Sequence, residues 1–419
     1  MASKTIYVYA DWENLSGSTF MGILRTEQVR GKEIFSFEYE KNWLKLNQAI
    51  LLDPNLSWYS GPQFLSDDKL NFGLFLDSSP DRWGRVLMRR REALLSRMEN
   101  RPQKTLLPSD YLLGVYDEHR MGALRFKDSP NGPFINDNRK MAAPPWASLR
   151  ELEYASLKLE EDDSTDDPDY LHWLNLLTAP GSSLGGARPK ASVLNRNGHL
   201  WIAKFPSIND VTDIGGWEMV VHELAKKSGI VLPEAMVQKF NSHKYTFLTK
   251  RFDRTSNGRI HFASSMSLAG RKDGDDFQSG ASYLELAGII IQFGDKNYVD
   301  SDLEEIWKRI VFSICVKNTD DHLRNHGFLL GKGGWRLSPA YDINPVPTGT
   351  GLTLNISDED NSLNLELAKE VAAFFRIGST RANEIIQIIT SVVKDWQKVA
   401  SKYGLARNEI DLMSAAFEH

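Results

Sequence analysis

The sequence has a single cysteine, Cys315, among 419 residues. No intrachain disulfide framework can form, and no Cys/His zinc spacing is present. Cys315 lies in the apolar run Ile310 to Val316 and reads as core packing, not as a nucleophile. Long apolar runs are missing too. Stretches such as Leu286 to Phe293 are too short to cross a bilayer. The amino terminus lacks a secretory apolar segment; Met1 to Trp12 reads as a β-strand, so the expected compartment is the cytoplasm with no membrane partner. Excess charge of one sign is also lacking. Lys+Arg total 50 and Asp+Glu 55, a formal −5, which argues against gripping nucleic acid by global charge. The pattern G-x-x-x-x-G-K-[ST] is absent, so a Walker-type phosphate loop is excluded. No internal repeat is visible.

What the chain does carry is an acid–amide–acid set. Asn318-Thr319-Asp320-Asp321-His322-Leu323-Arg324-Asn325 places an Asp five residues before an Asn, and Asp342 follows 17 residues later. Phosphoryl transfer from ATP needs one carboxylate to receive or orient the proton of the attacking hydroxyl. It also needs an amide oxygen and a second carboxylate to hold Mg²⁺ on the phosphates. D-x-x-x-x-N is the spacing of a protein-kinase catalytic loop. Asp320 is then the candidate base, and Asn325 and Asp342 are the candidate metal ligands. His322 is counted with the nucleotide-site residues. Between the halves, His326 to Leu330 reads as a short strand, Gly331 to Gly334 as a turn, and Trp335 to Leu337 as a returning strand. Such a hairpin can bring Asp342 back beside Asn325. The bland alternative is a pair of surface loops whose Asp and Asn residues cap helices.

Composition shifts divide the rest. Residues 1 to about 126 alternate strand-like and helical patterns and include a basic helical run, Arg85 to Arg91, read as a solvated face. A breaker-rich connector follows at Asp128 to Pro133 and Ala142 to Pro145. Next come an amphipathic helix and an acidic run, Glu160 to Asp167, read as a solvated loop with no assigned role. From Gly181 the pattern is a glycine loop and strands; beyond Phe262 it is mostly helical, with apolar spacing in Tyr283 to Phe293, Ile306 to Val316 and Asn383 to Val399.

The glycine loop, Gly181 to Lys190, precedes the strand Ala191 to Leu194; its glycines let backbone N–H groups approach phosphate oxygens. Lys204 sits in the apolar strand Leu200 to Phe205, where a kinase places a Lys for the α- and β-phosphates. Glu218, 14 residues on in a helical run, is the candidate partner for that Lys, with Glu223 as rival. Backbone groups near Lys250 and Phe252 are placed for adenine, and Asp253 for a ribose hydroxyl.

Together these segments resemble the HipA family of bacterial serine/threonine kinases, toxins of toxin–antitoxin pairs. The resemblance rests on S-S-L-G-G-A-R-P-K at Ser182 to Lys190, I-A-K-F-P at Ile202 to Pro206, and K-R-F-D-R at Lys250 to Arg254. It continues in N-T-D-D-H-L-R-N at Asn318 to Asn325 and S-P-A-Y-D at Ser338 to Asp342. In the first unit, D-S-S-P-D-R-W-G at Asp77 to Gly84 and M-G-A-L-R-F at Met121 to Phe126 look like the family's amino-terminal domain. It implies an α+β, two-lobed kinase-like fold: a β-rich N-lobe at 129–255, an all-helical C-lobe at 256–419, and an additional α/β amino-terminal domain at 1–128. It implies ATP and Mg²⁺ as cofactors, with Ser183, Gly185, Gly186, Ala187, Lys190 and Lys204 around the phosphates. It marks Ser183 as the autophosphorylation site whose modification ejects the loop and inactivates the kinase. It also implies a HipB-like helix-turn-helix antitoxin, DNA contact only through that partner, and a protein substrate linked to translation, such as an aminoacyl-tRNA synthetase. The loop departs from the best-known pattern at Arg188-Pro189.

Two other readings compete. D-x-H-x-x-N at Asp320 to Asn325 also looks like the catalytic loop of phosphoinositide kinases, although no basic lipid-facing segment accompanies it. A non-enzymatic corepressor that keeps only antitoxin binding is the other. An intact Lys204, Asp320, Asn325 and Asp342 weigh against it.

Overall fold

The computed structural model describes residues 3–46, 50–65, 69–137, 144–161, 167, 169–178, 188–256 and 258–418. The fold is mixed α+β and separates into two compact units. One is Met1–Asn209 with Asp253–Ala263; the other is Asp210–Phe252 with Ser264–His419.

The first unit is built on a five-stranded antiparallel sheet. Its strands are β1 (Ser3–Ala10), β2 (Thr19–Val29), β3 (Lys32–Tyr39), β4 (Gln63–Phe64) and β5 (Leu124–Lys127), in the order β4-β3-β2-β1-β5. Alternation decides the faces. In β1, Ile6, Val8 and Ala10 are buried while Tyr7 and Tyr9 stay half-buried. The β2–β3 connection is the two residues Arg30-Gly31, at φ 50° and 82°. Both positive values match a turn whose twist follows that of the strands. Helices α1 (Lys41–Leu46), α2 (Gly73–Leu76), α3 (Arg82–Met98) and α4 (Pro108–Gly114) fill the long β3–β5 connection. Phe37, Phe75 and Phe126 meet in the core. Farther along lie α5 (Leu149–Glu160), α6 (Tyr170–Thr178) and the hairpin β6 (Lys190–Leu194) with β7 (Leu200–Lys204). The basic run on α3 is less solvated than its composition implies. Arg90 donates to the Leu159 carbonyl and Arg91 Nε to Asn175 Oδ1 at 3.1 Å, so two of its cations pin the helix to its own neighbours.

The segment Asp253–Ala263, ending in β10 (Phe262–Ser264), is clasped to this unit by polar groups. Asp253 Oδ2 accepts from the Gly122 N–H at 2.9 Å and pairs with Arg254 at 2.7 Å. Arg254 donates to the carbonyls of Gly122 and Arg120, and Arg259 reaches Asp117 at 2.9 Å. Gly122 is at φ 72°, and a Cβ there would lie 3.0 Å from the Phe262 nitrogen, so this crossing requires glycine. His261 stacks on Trp12 at 4.9 Å.

The second unit begins with α7 (Ile214–Lys227), capped by Asp213, whose carboxylate accepts from the N–H groups of Gly216 and Tyr245. The hairpin β8 (Ala235–Gln238) with β9 (Thr246–Lys250) follows. Then come α8 (Ser265–Leu268), α9 (Tyr283–Phe293) and α10 (Val299–Cys315). α10 is the core: Leu303, Ile306, Trp307, Ile310, Val311, Phe312 and Ile314 are essentially inaccessible. Cys315 is buried with them, and burial pushes its thiol up to about 12, as core packing requires. The helical part is interrupted by the hairpin β11 (Gly327–Gly331) with β12 (Gly334–Leu337), in the register Phe328↔Leu337. α11 (Leu365–Glu370), α12 (Ser379–Val393), α13 (Trp396–Lys402) and α14 (Arg407–Met413) complete the unit. The apolar spacing from Asn383 to Val399 is therefore two helices, broken at Lys394-Asp395. No helix among the described residues is long and apolar enough to cross a membrane.

Burial drives the His261 imidazole from 6.5 down to about 3. A depressed base binds fewer protons folded than unfolded. Its contribution is therefore complete above about pH 6.5 and is lost as pH falls toward 3. Unfolding free energy by denaturant titration should drop below pH 6.5 by up to about 1.4 kcal/mol per pH unit from this group. His261→Phe should flatten that slope. Identical slopes in the two proteins would remove His261 as an acid-sensitive group.

Candidate functional site

The end of α10 creates the loop. Val316 still bonds to the Phe312 carbonyl, but Lys317 turns left-handed at φ 45°, and the Asn318 N–H returns to the Ser313 carbonyl at 2.9 Å. A helix stops when a residue adopts this conformation. The chain then runs over the helix terminus as Thr319 to His322, makes one 3₁₀ turn at Leu323–Asn325, and enters β11.

Neighbouring residues in this loop face opposite ways. Asp320 is exposed, whereas Asp321 is buried. The Asn325 side-chain amide donates to the Asp320 carbonyl at 3.0 Å, which fixes the five-residue spacing. The Asn325 side-chain oxygen is buried and accepts no hydrogen bond among the described residues. Such an orphaned acceptor is costly unless a ligand, water or ion completes it.

The β11–β12 hairpin returns the chain to the same place. The Ser338 N–H bonds to the Gly327 carbonyl at 2.8 Å, and the Tyr341 hydroxyl donates to the Arg324 carbonyl at 2.8 Å. The Asn344 N–H donates to Asn318 Oδ1 at 3.1 Å. These last two bonds bracket Asp342 against the loop. Asp342 itself is left-handed, at φ 58°, and its Oδ1 accepts from Asn344 Nδ2 at 3.3 Å. The turn that carries Asp342 is thus held against the loop that carries Asp320 and Asn325. An amide oxygen and a carboxylate are hard oxygen donors of the kind Mg²⁺ takes. The unsatisfied Asn325 oxygen fits that use.

Beneath the loop lies a buried support. The Tyr283 hydroxyl, from α9, donates to Asp321 Oδ2 at 2.5 Å, and His326 Nε2 lies 3.1 Å from the same oxygen. Burial pushes the Asp321 carboxyl up, but the His326 pairing and the Tyr283 hydrogen bond outweigh it and hold it below its usual range. Burial, and then the Asp321 charge beside it, raises the Tyr283 phenol. A small cavity, about the size of one water, is lined by Arg309, Ser313, Asn318, Asp321, Asn325 and His326.

The other candidates lie in their own units. In the first unit, Lys190 opens β6 and is buried, while Lys204 closes β7 half-buried. In the second, Glu218 is buried on α7. Its rival Glu223 is held by Lys402 at 2.7 Å, Lys227 at 3.0 Å and the Tyr403 hydroxyl at 2.8 Å, so it ties α7 to α13. Lys250 ends β9, 3.6 Å from Glu234. The Phe252 ring lies 5.5 Å from that of Tyr341, one residue before Asp342. His322 is half-buried in the loop. Asp253 is wholly buried, and its carboxylate is taken by Gly122 and Arg254. That environment gives it a structural task and leaves the ribose expectation without an accessible carboxylate. Ser183, Gly185, Gly186 and Ala187 lie outside the described residues, as does most of the acidic run. Asn318, Asn344 and Tyr283 were not singled out by sequence reasoning; their partners lie 26 and 38 residues away, and no local pattern marks them.

Comparison with known proteins adds independent findings. The model of a family described as HipA-like C-terminal domain matches residues 182–399. A Haemophilus influenzae protein named "Putative kinase" is 25% identical over 261 residues, covering 54% of this chain and 75% of that protein. The Sinorhizobium fredii protein named "Putative kinase Y4dM" is 25% identical over 210 residues, 47% of this chain and 45% of its own length. A chain from the Shewanella oneidensis MR-1 toxin–antitoxin complex of HipA, HipB and operator DNA has a similar fold. The TM-score is 0.64, over 98% of this chain and 94% of that one, at 15% identity.

The support beneath the loop makes a measurable prediction. Tyr283→Phe removes one donor from a buried carboxylate and should lower stability by about 1–3 kcal/mol. Denaturant unfolding reads this directly. A loss within the range of a surface substitution would show that Asp321 does not depend on Tyr283.

Proposed function

The chain belongs to the HipA-like C-terminal domain family, and from that premise we propose that it is an ATP- and Mg²⁺-dependent serine/threonine protein kinase. The observation that carries this reading is the loop itself. Asp320 is exposed, its backbone is held by Asn325, and a left-handed Asp342 is bracketed beside them. In this reading Asp320 receives or orients the proton of the attacking hydroxyl. Asn325 and Asp342 hold the metal, which when bound neutralises charge on the phosphates. Lys204 and Lys190 meet those phosphates, Glu218 orients Lys204, and the backbone near Lys250 and Phe252 meets adenine.

The proposal extends to organisation and partners. Segments 1–128, 129–255 and 256–419 act as amino-terminal domain, N-lobe and C-lobe. A HipB-like helix-turn-helix protein is the partner through which any DNA contact is made. The Shewanella chain, solved with HipB and operator DNA, supports this, and so does the net charge of −5. The substrate is a translation-linked protein such as an aminoacyl-tRNA synthetase, and the compartment is the cytoplasm. Autophosphorylation at Ser183 is the off switch. A phosphoserine of about −1.5 to −2 charge cannot return to a site built for nucleotide phosphates.

Incubation with γ-labelled ATP and Mg²⁺, followed by intact mass and phosphosite mapping, tests the reaction. Asp320→Ala should slow phosphoryl transfer by about 10²–10⁴-fold, and near wild-type turnover would remove it from the mechanism. Asp342→Asn should raise the Mg²⁺ concentration needed for half-maximal activity. An unchanged Mg²⁺ titration would deny it the ligand role.

ATP binding by unmodified protein should be much tighter than by protein stoichiometrically phosphorylated on Ser183. Equal affinities would refute the switch, and phosphate mapped to Ser182 or elsewhere would relocate it.

A further inference from the structure

The motif Asp77 to Gly84 has no part in the reaction as described so far, yet it is built like a site. Asp77, Ser78, Ser79 and Asp81 are all buried. The backbone is pinned: the fully buried Arg120 donates to the Ser78 carbonyl at 2.7 Å, and Ser79 Oγ donates to the Phe75 carbonyl at 2.8 Å. Asp81, within the motif, is the N-cap of α3, where its Oδ1 accepts from the Gly84 N–H at 2.7 Å. Its other oxygen lies 3.2 Å from Nζ of Lys190. Both side chains are inside, at 1% and 5% exposure. A cation is not buried without a counter-charge, and this carboxylate, 109 residues upstream, supplies one.

Resting on the kinase reading, we propose that Asp81 is a positioning residue for the nucleotide phosphates, acting through Lys190. The cap holds one oxygen of Asp81, so the other is presented in a fixed direction. Lys190 carries three N–H donors and can serve more than one partner. With Asp81 on one side, the ammonium is held as an immobile cation at the first residue of β6, immediately after the glycine loop. The amino-terminal motif thereby sets the charge that meets ATP, a task separate from any partner binding. Loss of the Asp81 carboxylate removes one fixed counter-charge from the buried ammonium, so part of its ordering falls to the moment of binding, which weakens it.

The test uses the full chain and two probes, ATP·Mg²⁺ and adenosine, titrated by calorimetry. Asp81→Asn retains an effective helix cap while removing the charge. It should weaken ATP binding about tenfold, the scale of one buried charge pair, and leave adenosine binding unchanged. Lys190→Met should do the same. The double variant should bind ATP no more weakly than Lys190→Met alone, because the carboxylate acts only through the lysine. Should Asp81→Asn fail to fold, the double variant, which leaves no unpaired charge, is compared with Lys190→Met; a further loss of ATP affinity overturns the proposal. Equal losses for ATP and adenosine would reduce Asp81 to a structural role and overturn it. Tighter ATP binding in Asp81→Asn would mean that the carboxylate competes with phosphate, which also overturns it. Wild-type protein that binds neither probe would bring down the kinase reading itself; ATP binding identical in wild type and Asp81→Asn removes only the role of Asp81.

Discussion

Burial of the Asp321 carboxylate is the constraint on which the candidate site depends. An ionised group inside a protein must find donors, or its burial costs several kcal/mol. Asp321 finds Tyr283 on α9 and His326 at the entrance to β11, with Ser313 of α10 at 3.4 Å. Three elements distant in sequence are thus obliged to converge under one loop. Adjacent residues in such a tight loop cannot both point inward. Fixing Asp321 inside turns Asp320 to the solvent. The exposed acid is defined by its buried neighbour.

The same rule, applied in the first unit, gives a different result. Asp253 follows a strand and precedes Arg254, the setting in which a ribose-binding carboxylate was expected. There it is wholly buried and accepts from the Gly122 N–H. Arg254 and Arg259 extend the clasp to Gly122, Arg120 and Asp117. The K-R-F-D-R motif therefore does structural work at its Asp: it returns the chain to the first unit directly after β9. Local pattern cannot tell a carboxylate that binds a ligand from one that binds a backbone amide, since both follow an apolar strand.

Legibility from sequence follows the range of the interaction. The β11–β12 hairpin, α9, the β6–β7 turn and the return of the Asp342 segment to the Asp320–Asn325 loop rest on local periodicity, turn residues and short spacings, and these were readable. The apolar spacing between Asn383 and Val399 runs through two helices, and the break at Lys394-Asp395 carries no proline or glycine to announce it. Glu218 and Glu223 both lie on α7, five residues apart and so on different faces. What separates them is Lys402, 179 residues downstream of Glu223, which no local reading supplies. Tyr283 and Asp81 were out of reach for the same reason: their partners are 38 and 109 residues away.

Backbone strain gives a last, independent pointer to the site. Among the described residues, six non-glycine positions have positive φ: Arg30, Asn100, Asn136, Lys317, Asp342 and Arg376. Each such residue costs about 1–2 kcal/mol, and three are accounted for locally. Arg30 lies in a hairpin turn, Lys317 stops α10, and Arg376 caps a 3₁₀ turn. Asp342 ends no helix and closes no hairpin. Its conformation is imposed by the residues on either side, through the Tyr341 hydroxyl on the Arg324 carbonyl and the Asn344 N–H on Asn318. Glycine would adopt that backbone at no cost. A carboxylate stands there instead, held in a left-handed position on the segment that returns to the Asn325 loop, and stability alone gives no reason for that choice. Strain kept in place by surrounding bonds is most simply understood when the side chain it presents is needed.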